Sequence, residues 1–360
     1  MIARVSPLRI GVVGPMVGGS RSIAQSACLG LERLGHEVRF LDNASFAPHL
    51  DAIRRAPDPD AMKNAMAHEL FKLAAQETCA RLLSYKPDVA LYLAQSPVLS
   101  DADTAPLREA GVLTIFWLVE DRRVFTYWQR SASRFDVLWG IQDEGFAAEL
   151  AALASTQFAF VPLACDSAPA AAPPRPGQRE PWKDAVTFAG SAYPNRVELL
   201  RELARPELGL RIVGPGFAAD PALRPYVAVD RTVPHETFPA IFAGSRINLN
   251  LSSSLANTDW RARKDLLNPR AFEIAGAGGF QLAESLLPIE RFFEPGREVA
   301  VFSSPQEARE LIARYTADPA ARQEMAARAQ QRALAEHTYE RRLAKALEQL
   351  PAWRARAESR

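Results

Sequence analysis

The feature that most constrains this fold is a repeated alternation of short, unbroken apolar runs with longer stretches of helical periodicity. Residues 9–14 (RIGVVG) form one such run ending in glycine. A loop, PMVGGSRS, follows, then an apolar-periodic stretch to Leu34 that Gly35 and His36 stop. The run EVRFLD at 37–42 is the next strand, so the chain opens as β-loop-α-β. A long helix fits between Asp58 and Tyr85, and further strands fit 87–94, 112–121, 135–142 and 158–166. Runs with so little polar alternation are strands buried on both faces, which predicts a parallel sheet covered by helices.

Residues 167–183 (SAPAAAPPRPGQREPWK) break the pattern. They are rich in Pro and Ala and read as a connection between domains. The alternation then restarts, with strands at 185–190, 210–214, 246–252, 279–284 and 299–302. Helices fit 195–204, 235–243 and a start near 270, and the chain from Pro305 to about Arg356 reads as helical with a break at Asp318 and Pro319. The expectation is an α/β protein with two Rossmann-like, doubly wound domains, at 1–166 and 184–337, facing a cleft. Ligands in such sheets sit beyond the strand carboxyl ends, where the strand order reverses.

A chain of 360 residues is long enough for two such cores. Its 43 basic and 42 acidic residues leave a net charge of +1, which supplies no argument for binding nucleic acid or an anionic membrane surface. The apolar run at 112–119 is far shorter than the roughly 20 residues of a membrane span. Cys28, Cys79 and Cys165 have no zinc or redox spacing and read as reduced, buried thiols. No secretory leader pattern opens the chain, so a cytoplasmic protein is expected. Walker, Gly-x-Ser-x-Gly and His-Glu-x-x-His patterns are absent from the sequence.

The segment NPRAFEIAGAGGFQLAES at 268–285 resembles the donor-site signature of GT-B glycosyltransferases, in the CgeB-like (spore maturation protein-like) branch. The same resemblance extends to VTFAGSAYPNR at 186–196, RINLNLS at 246–252, EPGREVAVFSSPQEARELI at 294–312 and HTYERR at 337–342. It is strong over about 185–345 and looser over 1–166, where GGS at 18–20, LGHEV at 34–38 and WLVED at 117–121 carry it. The resemblance implies metal-independent, hexosyltransferase-like transfer from a nucleotide sugar. The donor would be the substrate, no cofactor would be needed, and the acceptor could be a protein, a glycan or a small molecule. It also implies that a C-terminal helix, 338–360, packs back on the first domain.

The chemistry of a sugar nucleotide agrees with those residue types. A ribose diol needs a carboxylate acceptor, and Glu273 is the candidate by family position. A diphosphate needs backbone N–H groups and cations. Gly190 and Ser191 after a strand suit the first need, and Arg196, Lys264 and Arg270 suit the second. Gly278 and Gly279, in the turn that begins at Gly276, would let backbone approach the donor. In the first domain Asp121 is the favoured general base, with Glu120 second, because both end a strand. Gly18 and Gly19 form a loop expected to face the cleft, without the Gly-x-Gly-x-x-Gly spacing of a dinucleotide site.

Structural roles compete with each of these. Glu273 and Arg270 can form ion pairs on their helix, Lys264 can lie on a solvated face, and Gly276–Gly279 can be a helix stop. Trp117 reads as core, Tyr127 as either core or a stacking surface, and Asn250 and Ser252 as the end of a strand. His36, His235 and His337 read as structural, and the acidic pairs Asp58/Asp60 and Asp101/Asp103 as turn residues. A sugar-nucleotide epimerase and a non-catalytic binding module of the same fold remain alternative functions.

Overall fold

The computed structural model describes residues 6–143, 145–253 and 265–358. The chain divides into two compact units. The first is formed by the chain up to Pro162 and again from Tyr339 onward, and the second by Leu163–Thr338.

The first unit holds a six-stranded parallel sheet of β1 (Arg9–Val13), β2 (Glu37–Leu41), β3 (Val89–Leu93), β4 (Leu113–Leu118), β5 (Val137–Gly140) and β6 (Gln157–Phe160). The spatial order is β2-β1-β3-β4-β5-β6. Every residue of β3, β4 and β5 is buried, which is why those runs show no polar alternation. Edge strand β2 alternates exposed and half-buried positions. Trp117 is fully buried and donates its indole N–H to the Val161 carbonyl at 3.0 Å, so it belongs to the core.

The helices after Tyr339 complete this unit. Tyr339–Leu347 lies against the Ser20–Arg33 helix, close enough that a Cβ on Gly30 would stand 3.0 Å from the Tyr339 Cβ. Arg33 pairs with Glu340 at 2.8 Å. Farther on, Trp353 is buried with its ring 6.0 Å from that of Trp139, and its carbonyl accepts from Gln157 Nε2 at 3.1 Å.

The second unit holds another six-stranded parallel sheet: β7 (Val186–Ala189), β8 (Leu210–Val213), β9 (Val227–Val229), β10 (Ile247–Asn250), β11 (Gln281–Glu284) and β12 (Ala300–Phe302). Their order is β12-β11-β10-β7-β8-β9. One face packs Val186, Phe188, Leu249 and Phe302 against Leu199, Leu203 and Ile312 of two helices. The opposite face packs Ala189 and Val213 against Ile241, Phe242 and Ile274. The break at Asp318 is a cap: its side chain accepts from the Ala321 amide and opens the Pro319–Glu336 helix. Ser304 caps Pro305–Ala317 in the same way through the Glu307 amide.

Residues 167–183 are not an extended tether. They form short turns at Ala168–Ala171, Pro176–Arg179 and Glu180–Trp182, and Trp182 packs partly buried on the apolar face around Ile241. The side chains of an apparent linker thus contribute to the second unit.

Candidate functional site

In each sheet the strand order reverses once: between β1 and β3 in the first unit, and between β7 and β10 in the second. The connections leaving such a neighbouring pair go to opposite faces, which leaves a crevice at the strand carboxyl ends.

At the reversal of the second sheet the loops are wired together by Arg196. This residue lies in the first turn of the Pro194–Leu203 helix and is buried. Its Nε donates to the Ser252 carbonyl at 2.8 Å, Nη2 to Leu251 at 3.1 Å and Nη1 to Ser191 at 3.2 Å. The first two carbonyls follow β10 and the third follows β7, so one guanidinium spans the crevice. Burial lowers its pKa to about 10, with repulsion from Arg270 adding to the effect, and it stays cationic at neutral pH. Its charge is partly sheltered by the Tyr193 ring, 5.0 Å from the guanidinium.

Around this link the chain gathers further polar groups. Asn195 donates to the Ser252 carbonyl at 3.1 Å, and Asn268, at the start of the Pro269–Gly276 helix, donates to Leu251 at 3.0 Å. The Ser252 amide donates to Glu284 at the end of β11, at 2.8 Å. Asn250 is 1% exposed, and neither atom of its amide has a hydrogen-bond partner among the described residues. Glu284 and Asn268 are not among the site residues expected from sequence. A carboxylate and amides at the ends of otherwise apolar strands were the available signal.

Arg270 comes to the same place from the first turn of its helix. Its Nε donates to the Ala189 carbonyl at 3.2 Å, its guanidinium lies 4.0 Å from the Phe238 ring centre, and it forms an ion pair with Glu273 one turn on. The loops after β7 and β8 nest closely: a Cβ on Gly214, at φ 140°, would stand 1.9 Å from the Gly190 carbonyl oxygen. Gly190, Ser191, Arg196, Arg270 and Glu273 are therefore brought together.

Gly278 and Gly279 are not. They follow the carboxyl end of the Pro269–Gly276 helix and lead into the amino end of β11, with the Gly278 amide on Ala275 and the Gly279 amide on Ile274. An eight-residue helix is about 12 Å long, so these glycines stop the helix at the end away from Arg270. Lys264 lies outside the described residues.

In the first unit a second cluster occupies the β1/β3 reversal and the loop after β4. Glu120 accepts from Gln95 Nε2 through Oε1 and from the Tyr127 hydroxyl through Oε2, each at 2.6 Å. Burial raises its pKa above the ordinary carboxylate range, and the two hydrogen bonds only partly oppose that. Asp121 is the reverse case. Burial acts to raise its pKa, but the Arg123 amide at 3.0 Å, the Arg123 guanidinium at 3.3 Å and Gln142 at 3.1 Å together outweigh it and leave it lowered. The two neighbouring carboxylates thus have proton affinities shifted in opposite directions. Gly18 lies against Gln95, whereas nothing stands within 4 Å of a Cβ placed on Gly19.

Among the described residues no three His, Cys, Asp or Glu side chains form a group that could hold a metal ion, and no helix is long and apolar enough to cross a membrane.

A family described as glycosyl transferase-like matches residues 196–348. No curated protein matches the sequence. Solved structures resemble the chain over nearly its whole length. Sucrose-phosphate synthase from Thermosynechococcus elongatus aligns with 13% identity and a TM-score of 0.61, over 96% of this chain and 98% of that one. HepE from Anabaena, in complex with UDP and glucose, aligns with 12% identity and a TM-score of 0.57, over 95% and 99%. A glycosyltransferase involved in avilamycin A biosynthesis aligns with 17% identity and a TM-score of 0.61, over 97% and 98%. At these identities the likeness establishes the fold, which is GT-B: two Rossmann-like α/β units in one chain.

Proposed function

We propose that this protein transfers a sugar from a nucleotide-activated donor to an acceptor hydroxyl without a metal ion. The observation that carries the reading is the convergence of Arg196, Arg270 and Glu273 at the strand reversal of the second sheet of a GT-B fold. That is where two phosphates would meet cations and backbone donors, and a ribose diol would meet a carboxylate. Arg270 is the cation with the freer geometry, since the Arg196 guanidinium is already engaged by three carbonyls. Gly190 and Ser191 supply backbone, Lys264 a further cation, and Glu273 exchanges its pairing with Arg270 for the diol. The segment at 268–285 supports placement in the CgeB-like branch.

In the first unit Glu120 takes the proton of the attacking hydroxyl, and Asp121 organises the loop through Arg123 and Gln142. A raised pKa makes Glu120 a stronger proton acceptor than a solvated carboxylate, provided the working pH leaves it ionised.

Thermal denaturation in the presence of nucleoside diphosphates and nucleotide sugars, with and without EDTA, tests the donor site. A ligand that binds only the native state raises the melting temperature. Stabilisation by one nucleotide, unchanged by EDTA and lost in Glu273→Ala, is the expected result. A folded protein that responds to none of them would overturn the reading.

A further inference from the structure

Gln95, two residues beyond β3, has φ 67°, in the left-handed region. Glycine, asparagine and aspartate take that conformation most readily, and a glutamine there carries backbone strain that its surroundings must hold. Two links hold it, and both run through Glu120. The Gln95 amide donates to the Tyr127 hydroxyl at 3.1 Å, and that hydroxyl donates to Glu120 Oε2. The Gln95 side chain reaches the other carboxylate oxygen, Oε1. Main chain and side chain of one residue thus close a ring around a single carboxylate.

The oxygen of the Gln95 side-chain amide is wedged against Gly18. A Cβ on Gly18 would stand 1.9 Å from Gln95 Oε1, and Gly18 itself has φ 104°. Gln95 Oε1 is buried without a hydrogen-bond partner among the described residues, so the amide is held with its nitrogen toward Glu120 by that one hydrogen bond and by packing of its oxygen against Gly18. The charged groups nearest in sequence are engaged elsewhere: Asp121 with Arg123 and Gln142, and Arg122 with Glu149. Burial and the two donors, Tyr127 and Gln95, thus account for the proton affinity of Glu120.

We propose that Gln95 is a positioning residue, wedged by Gly18 and locked to Tyr127, that holds the Glu120 carboxylate in one orientation and controls when it carries a proton. The Gly18 position suits glycine on two counts, its φ of 104° and the glutamine amide that fills its Cβ space. The wedge matters to catalysis only if Glu120 is the base proposed above, but its effect on Glu120 is measurable without any substrate.

The test is a pH titration by carbon-13 NMR of protein labelled at the glutamate side-chain carboxyl, with the Glu120 resonance assigned from Glu120→Gln. Tyr127→Phe and Gln95→Leu each remove a donor to the ionised form, and each is expected to tighten proton binding at Glu120 by about tenfold or more. Gly18→Ala is expected to shift the resonance in the same direction, because its methyl displaces the Gln95 amide. Gly19→Ala, with open space at its Cβ, is expected to leave the titration unchanged. If Gly18→Ala does not fold, Gln95→Gly decides the question: it relieves the left-handed strain, removes the wedge, and should still tighten proton binding. A folded Gly18→Ala or Gln95→Gly protein in which Glu120 titrates as in the wild type overturns the proposal. Turnover of Glu120→Gln, assayed with the nucleotide sugar that stabilises the wild type, tests the base separately. Retained turnover beside shifted titrations would sink the base assignment and leave the wedge standing.

Discussion

The guanidinium of Arg196 donates to the main-chain carbonyl of Ser252 across the strand reversal of the second sheet. Two further carbonyls, on Leu251 and Ser191, accept from the same group. A buried cation hydrogen-bonded to carbonyl oxygens among the described residues ties the loop after β7 to the loop after β10. The shape of the crevice therefore depends on a side chain that has few N–H groups left for a ligand.

Replacing Arg196 with leucine should remove three hydrogen bonds from a charged donor, while each carbonyl keeps a second one: from Asn195 to Ser252, from Asn268 to Leu251 and from the Tyr193 amide to Ser191. Because no carbonyl is left wholly unsatisfied, the loss should be about 0.5–1.5 kcal/mol per hydrogen bond rather than the full cost of an unpaired buried group. Arg196→Lys keeps the charge but not the planar fork, so it should restore little of that. Urea denaturation midpoints of the two variants are the check, and a lysine variant as stable as the wild type would contradict the carbonyl-link account.

Glu273→Gln should keep the helix and its packing while losing a charged acceptor for the ribose diol. Hydrogen bonds to charged groups contribute about 1.5–3 kcal/mol, so binding of the stabilising nucleotide should weaken by about tenfold or more. Arg270→Met should weaken it through the diphosphate instead. Calorimetric titration with the diphosphate and with the free nucleoside separates the two, because only Glu273→Gln should affect the nucleoside.

The two carboxylates after β4 should give opposite pH signatures. Glu120 binds a proton more tightly in the folded protein than unfolded, so between its unfolded and folded pKa the native state holds more protons and stability falls as pH rises. Glu120→Gln removes that slope, and its stability relative to the wild type should improve as pH rises through the folded pKa. Asp121 has a lowered folded pKa, so its contribution is present above the unfolded value and is lost as pH falls through the folded one. Asp121→Asn should therefore destabilise at neutral pH and approach the wild type in acid. Guanidinium denaturation across pH 3–9 reads both, on the order of the window set by ordinary carboxylate pKa values.

Trp353→Ala should destabilise the first unit by about 3–5 kcal/mol, the usual cost of deleting a buried aromatic side chain. Its ring lies 6.0 Å from that of Trp139. Tryptophan fluorescence during unfolding should report the loss, and a variant of wild-type stability would show that the final helix contributes little to this core.

Most of the fold was legible in the sequence because it is written in burial. Strands such as β3 and β4 are covered on both faces and leave unbroken apolar runs. β9 was missed for the same reason: three residues at a sheet edge, half-buried to exposed, leave no such run. Arg270 and Glu273 were found through a contiguous motif, yet that motif also carried Gly278 and Gly279, which the intervening helix takes to its other end. The carbonyl links of Arg196 and the left-handed backbone of Gln95 depend on residues distant in sequence. Nothing in the local pattern around either one announces them.

The first unit is assembled from two stretches of chain, and the second from the single stretch between them. During synthesis, Leu163–Thr338 is therefore fully available before Tyr339–Leu347 emerges to cover the Ser20–Arg33 helix. Domains tend to fold as units while the chain lengthens. Here the half that begins first must wait longest. Until the second half has been translated, the apolar surface around Trp139 lacks the Trp353 ring that covers it in the finished protein.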